Sequence, residues 1–185
     1  MIYDFTLRSV GLTVGLALIL SHAAALIAPA RIMEWLRDFP RSRAAGLVLC
    51  TLAALWAFWL AATMDLGEFS PNRTLICGVI IAGAVMVPLF AEEFLAVRAL
   101  GILALLAAEP LLGAAFLRPE ETRLLLVALA YVWATGGLVM VGAPYLLRDL
   151  ISWVTARRWR YHAVAWAGIG YGALLAAVSL LLFKS

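Results

Sequence analysis

The chain has 185 residues, of which 65% are hydrophobic and only 14% charged. A soluble domain is about half apolar and about a quarter charged, and a chain of this size buries only about two-thirds of its surface, so a water-facing globule is excluded. The net charge of +3 sits in short basic clusters between apolar runs. No Lys/Arg tract with interleaved aromatics is present, which argues against nucleic acid as a partner.

Six apolar runs follow one another: Ser9–Ala28, Ala44–Met64, Leu75–Ala91, Phe94–Leu117, Leu124–Ala143 and His162–Phe183. Each approaches the ~20 residues with which a helix crosses a hydrocarbon core about 30 Å thick. They are continuous rather than alternating, so helices are expected and not a barrel. The expected fold is all-α: a polytopic transmembrane helical bundle of about six spans, forming one domain over residues 1–185. In the first run, Arg8, an apolar stretch and Ser21-His22-Ala23-Ala24 look like a secretory signal with a small-residue cleavage site. The expectation is that this segment stays as a span.

The first connection is Pro29–Pro40. Ile32, Trp35, Leu36 and Phe39 fall at i, i+3, i+4 and i+7 and make one apolar stripe, flanked by Arg31, Arg37, Arg41 and Arg43. The connection after the fifth run, Pro144–Val154, repeats the design with Leu146, Leu150, Trp153 and Val154, accompanied by Arg148, Arg157, Arg158 and Arg160. Both read as short amphipathic helices at headgroup level on the cytoplasmic side, with the eight arginines directed at lipid phosphates. With six spans the two basic loops share one side with the tight Glu92–Arg98 turn. The other side carries Arg8, Arg73, Arg118, Arg123 and Lys184 among acidic, turn-rich loops. The positive-inside rule then puts both termini outside the cytoplasm, in a multi-pass protein of a cell membrane, of bacterial inner-membrane type. A count of five or seven spans would separate the basic loops.

These units form a loose parallel repeat: span, Pro, amphipathic segment with an Arg-Asp pair, basic cluster, Gly-containing span. It occurs at 9–64 and 124–183, joined by a helical hairpin at 75–117. Any basic loop joining two spans tends toward the same pattern, so duplication is one of two explanations. Gly11 with Gly15 and Gly168 with Gly172 form GxxxG pairs, a sign of close helix packing.

Glu109, between Ala107-Ala108 and Pro110, is the most informative residue. A charge deep in a span costs roughly 2.5–3.5 kcal/mol on insertion scales, so it is expected to face the bundle interior, be protonated or find a partner. Pro110 removes the hydrogen bond to the Leu106 carbonyl and predicts a kink. Tyr131 sits at a similar depth, roughly 12 Å below the outer end at about 1.5 Å per residue, within reach of Glu109 if the two helices touch there. Two roles fit Glu109, a proton- or ion-linked site or a plain polar lock between helices. Arg98 shares its helix face three turns away. Glu92, Glu93 and Arg98 therefore form either the mouth of a pathway or an exposed hairpin turn. His22 beside Ser21 suggests a relay or, more plainly, a histidine bonded to a neighbouring helix.

Two isolated histidines without a third ligand predict no metal or haem site. Cys50 and Cys77 lie in apolar runs, with no CxxC and no disulfide framework. No P-loop, GxGxxG, GxSxG or HExxH is present, and no cofactor is expected. The expected role is a non-catalytic accessory or scaffolding subunit, or a lipid-binding membrane protein. Its partners would be the bilayer and other membrane-protein subunits or a second copy. The alternative is a small transporter or channel built on Glu109. A lipid-acting enzyme would need Glu92, Glu93 or Glu109 close to His22 or an arginine.

Overall fold

The computed structural model describes residue 3, residues 5–90 and residues 93–182. Six long helices, α1 (Leu7–Ile27), α3 (Arg43–Thr63), α4 (Arg73–Phe90), α5 (Leu95–Ala115), α6 (Arg123–Gly142) and α8 (Arg158–Leu181), are each long and apolar enough to cross a membrane. Two shorter helices, α2 (Pro29–Asp38) and α7 (Tyr145–Thr155), fill the connections expected to be amphipathic. A single 3-10 turn follows α2, at Phe39–Arg41, and a longer 3-10 segment precedes α4, at Gly67–Asn72. The chain is an all-α helical bundle, as the unbroken apolar runs require.

Local chemistry sets the helix ends. The Thr6 hydroxyl accepts from the Ser9 backbone N–H at 3.1 Å and opens α1, and Ser42 does the same for Ala45 at 3.2 Å to open α3. Pro29 begins α2, where its missing N–H costs nothing. At C-termini the orphan carbonyls take arginines. Arg73 donates its fork to Ala62 and, at 2.8 Å, to Met64, closing α3. Arg123 donates to Ala115 at 3.1 Å, closing α5. Two arginines on the side opposite the two amphipathic helices, Arg73 and Arg123, are thus structural caps. The last span begins at Arg158 rather than His162, because nothing in Arg158-Trp159-Arg160-Tyr161 breaks a helix. Helices α4 and α5 run on through Pro88 and Pro110, which spans tolerate when neighbours satisfy the freed carbonyls.

Two antiparallel pairs carry the bundle, α1 with α8 and α5 with α6. Each is drawn together at facing glycines. A Cβ on Gly15 would lie 2.8 Å from the Gly172 carbonyl oxygen, and one on Gly172 would lie 2.7 Å from that of Gly15. Gly101 and Gly137 repeat the arrangement at 2.8 and 2.7 Å. Backbones this close gain dispersion and Cα–H···O contacts, which matter in lipid, where burial between helices has no hydrophobic drive. α3 packs on α5 at Gly46, where a Cβ would meet the Ala96 nitrogen at 3.0 Å. α4 leans on α3 and has no buried residue.

The pairs meet in the half of the bundle away from α2 and α7. There Leu7 and Val10 of α1, Leu111 and Ala114 of α5, Leu126 and Ala130 of α6 and Leu175 of α8 make one core. The other half is looser, and α2 and α7 fill it. Phe39, Ala96 and Val97, with Phe94 and Leu147 against them, bring the first basic loop, the start of α5 and α7 onto one face. α1 meets α8 and α2 meets α7, but α3 and α6 each pack on α5.

Candidate functional site

On the arginine-rich face, α2 and α7 are clasped to each other. Arg37 Nε donates to the Thr155 hydroxyl at 2.9 Å and its Nη2 to the Thr155 carbonyl at 2.8 Å. One guanidinium therefore closes the end of α7 and ties it to α2, using the fork that lysine lacks. Arg160 stacks over Trp153 at 4.2 Å and near Trp159 at 5.6 Å, while its Nη1 donates to the Trp153 carbonyl at 3.2 Å. Arg148 pairs with Asp149 at 2.7 Å and lies 5.7 Å over the Phe94 ring. Arg37, Arg148 and Arg160, expected at lipid phosphates, are thus engaged within the protein. Arg31, Arg41, Arg43, Arg157 and Arg158 are exposed around the same face.

Clefts open on both sides of the clasp. One, of about 560 Å³, lies between α2, α3, α5 and α7 and is walled by Trp35, Leu36, Val48, Leu49 and Leu147. The other, of about 310 Å³, lies between α1, α2, α7 and α8 and shares Trp35 and Leu36 with the first. A third, of about 460 Å³, runs between α5 and α6 past Trp133 and shares Leu100 with the first. The apolar stripe read from the sequence walls the first two: Trp35 and Leu36 line both clefts, Phe39 the first alone and Ile32 the second alone. These surfaces suit hydrocarbon, not a hydrated ion.

Polar groups are few there. His22 Nδ1 lies 2.8 Å from the Leu18 carbonyl, which can only accept, so Nδ1 carries the proton. The Ser21 hydroxyl is 3.2 Å from the same nitrogen. The ring covers Gly168 of α8 so closely that a Cβ there would come within 2.2 Å of it. Tyr161 donates to the Ala25 carbonyl at 2.9 Å, and Tyr171 to that of Leu125 at 2.6 Å, pinning α8 to α1 and α6.

Of the three outcomes open to Glu109, a place in the bundle interior is not the one found. Glu109 is exposed, as is Tyr131 at 60%, and no hydrogen bond joins them. The physical reason is side-chain size. The packed faces of α5 use Ala96, Ala99, Gly101, Ala108 and Ala114, where backbones come close. Glu109 falls with Ile102 and Phe116, seven residues to either side, on the remaining exposed edge. Arg98 lies toward that edge three turns away, half-buried, with no partner for its Nε among the described residues. Glu93 is exposed in the turn before α5, and Glu92 lies outside the described residues. Glu109 lines none of the three clefts, and His22, between α1 and α8, is not brought to it. Among the described residues no three His, Cys, Asp or Glu side chains converge as metal ligands.

Sequence reading missed Thr155, Tyr161 and Tyr171. Phenols and hydroxyls within apolar helices must find an acceptor, and that requirement flags all three. No family model matches this chain, and neither any curated protein nor any solved structure matches it.

Proposed function

We propose that this is a non-catalytic integral membrane protein that holds lipid acyl chains beside the α2–α7 clasp, as an accessory or scaffolding component of its membrane. The observation that carries this reading is the pair of apolar clefts sharing Trp35 and Leu36 beneath exposed arginines. An acyl chain fills such a wall, while Arg31, Arg41, Arg157 and Arg158 meet its phosphate. The positive-inside rule turns this face to the cytoplasm and both termini away from it, as in a bacterial inner membrane. The transporter reading finds less support, since Glu109 lies apart from the clefts.

The test is lipid retention and lipid-dependent stability. In mild detergent, native mass spectrometry is expected to find phospholipid bound. Anionic phosphatidylglycerol is expected to raise the melting temperature more than phosphatidylcholine. Replacing Ala45 by Phe narrows the larger cleft and is expected to lower retention without unfolding the bundle. Neutralising Arg157 and Arg158 is expected to remove the preference for anionic lipid. Protein that sheds all lipid and is indifferent to headgroup charge would sink the proposal.

A further inference from the structure

Neither the Glu109 carboxyl nor the Tyr131 hydroxyl has a hydrogen bond among the described residues, and the positions of the two complement each other across a two-fold axis. At 3.6 residues per turn, Glu109 lies roughly opposite the face of α5 that lines the α5–α6 cleft through Leu100, Leu103, Ala104 and Ala107. Tyr131 likewise lies far around α6 from Val132, Gly136 and Met140, which line the same cleft. Both therefore occupy the back of the α5–α6 pair. Glu109 is six residues from the end of α5 and Tyr131 eight from the start of α6, at about 9 and 12 Å below the same side. A carboxyl group facing hydrocarbon lacks acceptors and donors alike, and a phenol facing hydrocarbon wastes a donor.

We propose that the chain forms a two-fold symmetric dimer through the back of α5 and α6, the Glu109 carboxyl of each copy accepting the Tyr131 hydroxyl of the other. A two-fold axis along the membrane normal keeps every residue at its depth, so only groups at matching depth can pair reciprocally, as in any isologous interface. Glu109 and Tyr131 meet that condition, and Ile102 and Phe116 give the same edge an apolar surround. The inference is independent of lipid in the clefts, which lie on the other side of the pair.

The test uses the full chain in lipid nanodiscs. Wild-type protein is expected to be dimeric by native mass spectrometry. Glu109→Leu and Tyr131→Phe are each expected to weaken dimerisation about tenfold, and the double variant little further. With Cys50→Ala and Cys77→Ala in the background, tagged Glu109→Cys chains mixed with untagged Tyr131→Cys chains are expected to cross-link to each other. A monomer in nanodiscs, or a dimer that both substitutions leave unchanged and that gives no mixed cross-link, overturns the proposal. So does capture of a different protein at position 109, because the occupant would then not be a second copy.

Discussion

The α1–α8 and α5–α6 seams solve one problem with different degrees of reserve. Both bring two helices to backbone contact at a glycine pair, Gly15–Gly172 and Gly101–Gly137, with nearly the same spacing. The α1–α8 seam adds side-chain ties: His22 lies over Gly168, and Tyr161 is bonded to the Ala25 carbonyl. The α5–α6 seam has its side-chain tie at its very end, where Arg123 donates to the Ala115 carbonyl, yet α5 also carries α3, and through α3 the otherwise unburied α4. A helix that must approach several neighbours keeps small residues on most of its circumference, and its two large polar residues, Arg98 and Glu109, are pushed toward the edge that remains.

If that contrast is right, the largest effect comes from filling the α5–α6 seam. Gly137→Leu places a side chain against Gly101 and Leu105, with neighbouring atoms already at 2.7 to 3.3 Å from a Cβ. A loss of about 3 kcal/mol or more is expected, read as failure to resist thermal unfolding or proteolysis in detergent. Gly136→Leu, one residue away, meets nothing within 4 Å and is expected to be close to neutral. Equal damage from both would show that the seam is not the cause.

The α1–α8 seam can be probed through its histidine. Gly168→Ala drives a methyl group into the His22 ring, at an expected cost of about 1–3 kcal/mol. His22→Ala removes the obstacle, so the double variant is expected to be more stable than Gly168→Ala alone. That reversal of sign in a double-mutant cycle separates a local collision from a general intolerance of α8.

The two seams also divide what the sequence discloses. The bilayer fixes helix length and forbids unpaired backbone, so hydropathy alone placed six spans to within a few residues at most ends. The period of Ile32, Trp35, Leu36 and Phe39 disclosed α2, and the Gly11–Gly15 and Gly168–Gly172 spacings marked the α1–α8 contact. Gly101 and Gly137 have no glycine four residues away, and their pairing depends on a neighbour that sequence does not name. Glu109 shows the same limit. Its shared direction with Arg98 was readable from spacing, but which side of α5 meets protein was not. The signal was the clustering of alanines away from Glu109, since in lipid it is small residues, not greasy ones, that mark a packed face. The lone threonine at the end of α7 carried no signal until Arg37 was seen beside it.

At the clasp, smaller effects are expected. Arg37→Ala removes both bonds to Thr155 and is expected to cost about 1–2 kcal/mol, with faster hydrogen exchange confined to the end of α7. Arg37→Lys retains the charge but not the fork, and is expected to recover less than half of the loss. Full recovery by lysine would mean that the residue works as a charge at the headgroup rather than as a tie between helices.

The smallest expected effect belongs to Arg160. Its guanidinium lies against Trp153 and close to Trp159 and also reaches the Trp153 carbonyl, at the junction between α7 and α8. An arginine–tryptophan contact at a partly exposed site is worth about 0.5–1 kcal/mol. Trp153→Leu keeps the apolar bulk and the backbone carbonyl and removes only the ring, so a loss in that range isolates the stacking. The same substitution is expected to leave the two glycine seams untouched, because the looser half of the bundle can shift without moving the tighter one. A drop in overall unfolding temperature as large as that of Gly137→Leu would contradict this, since it would mean that α7 supports the helix pairs instead of resting on them.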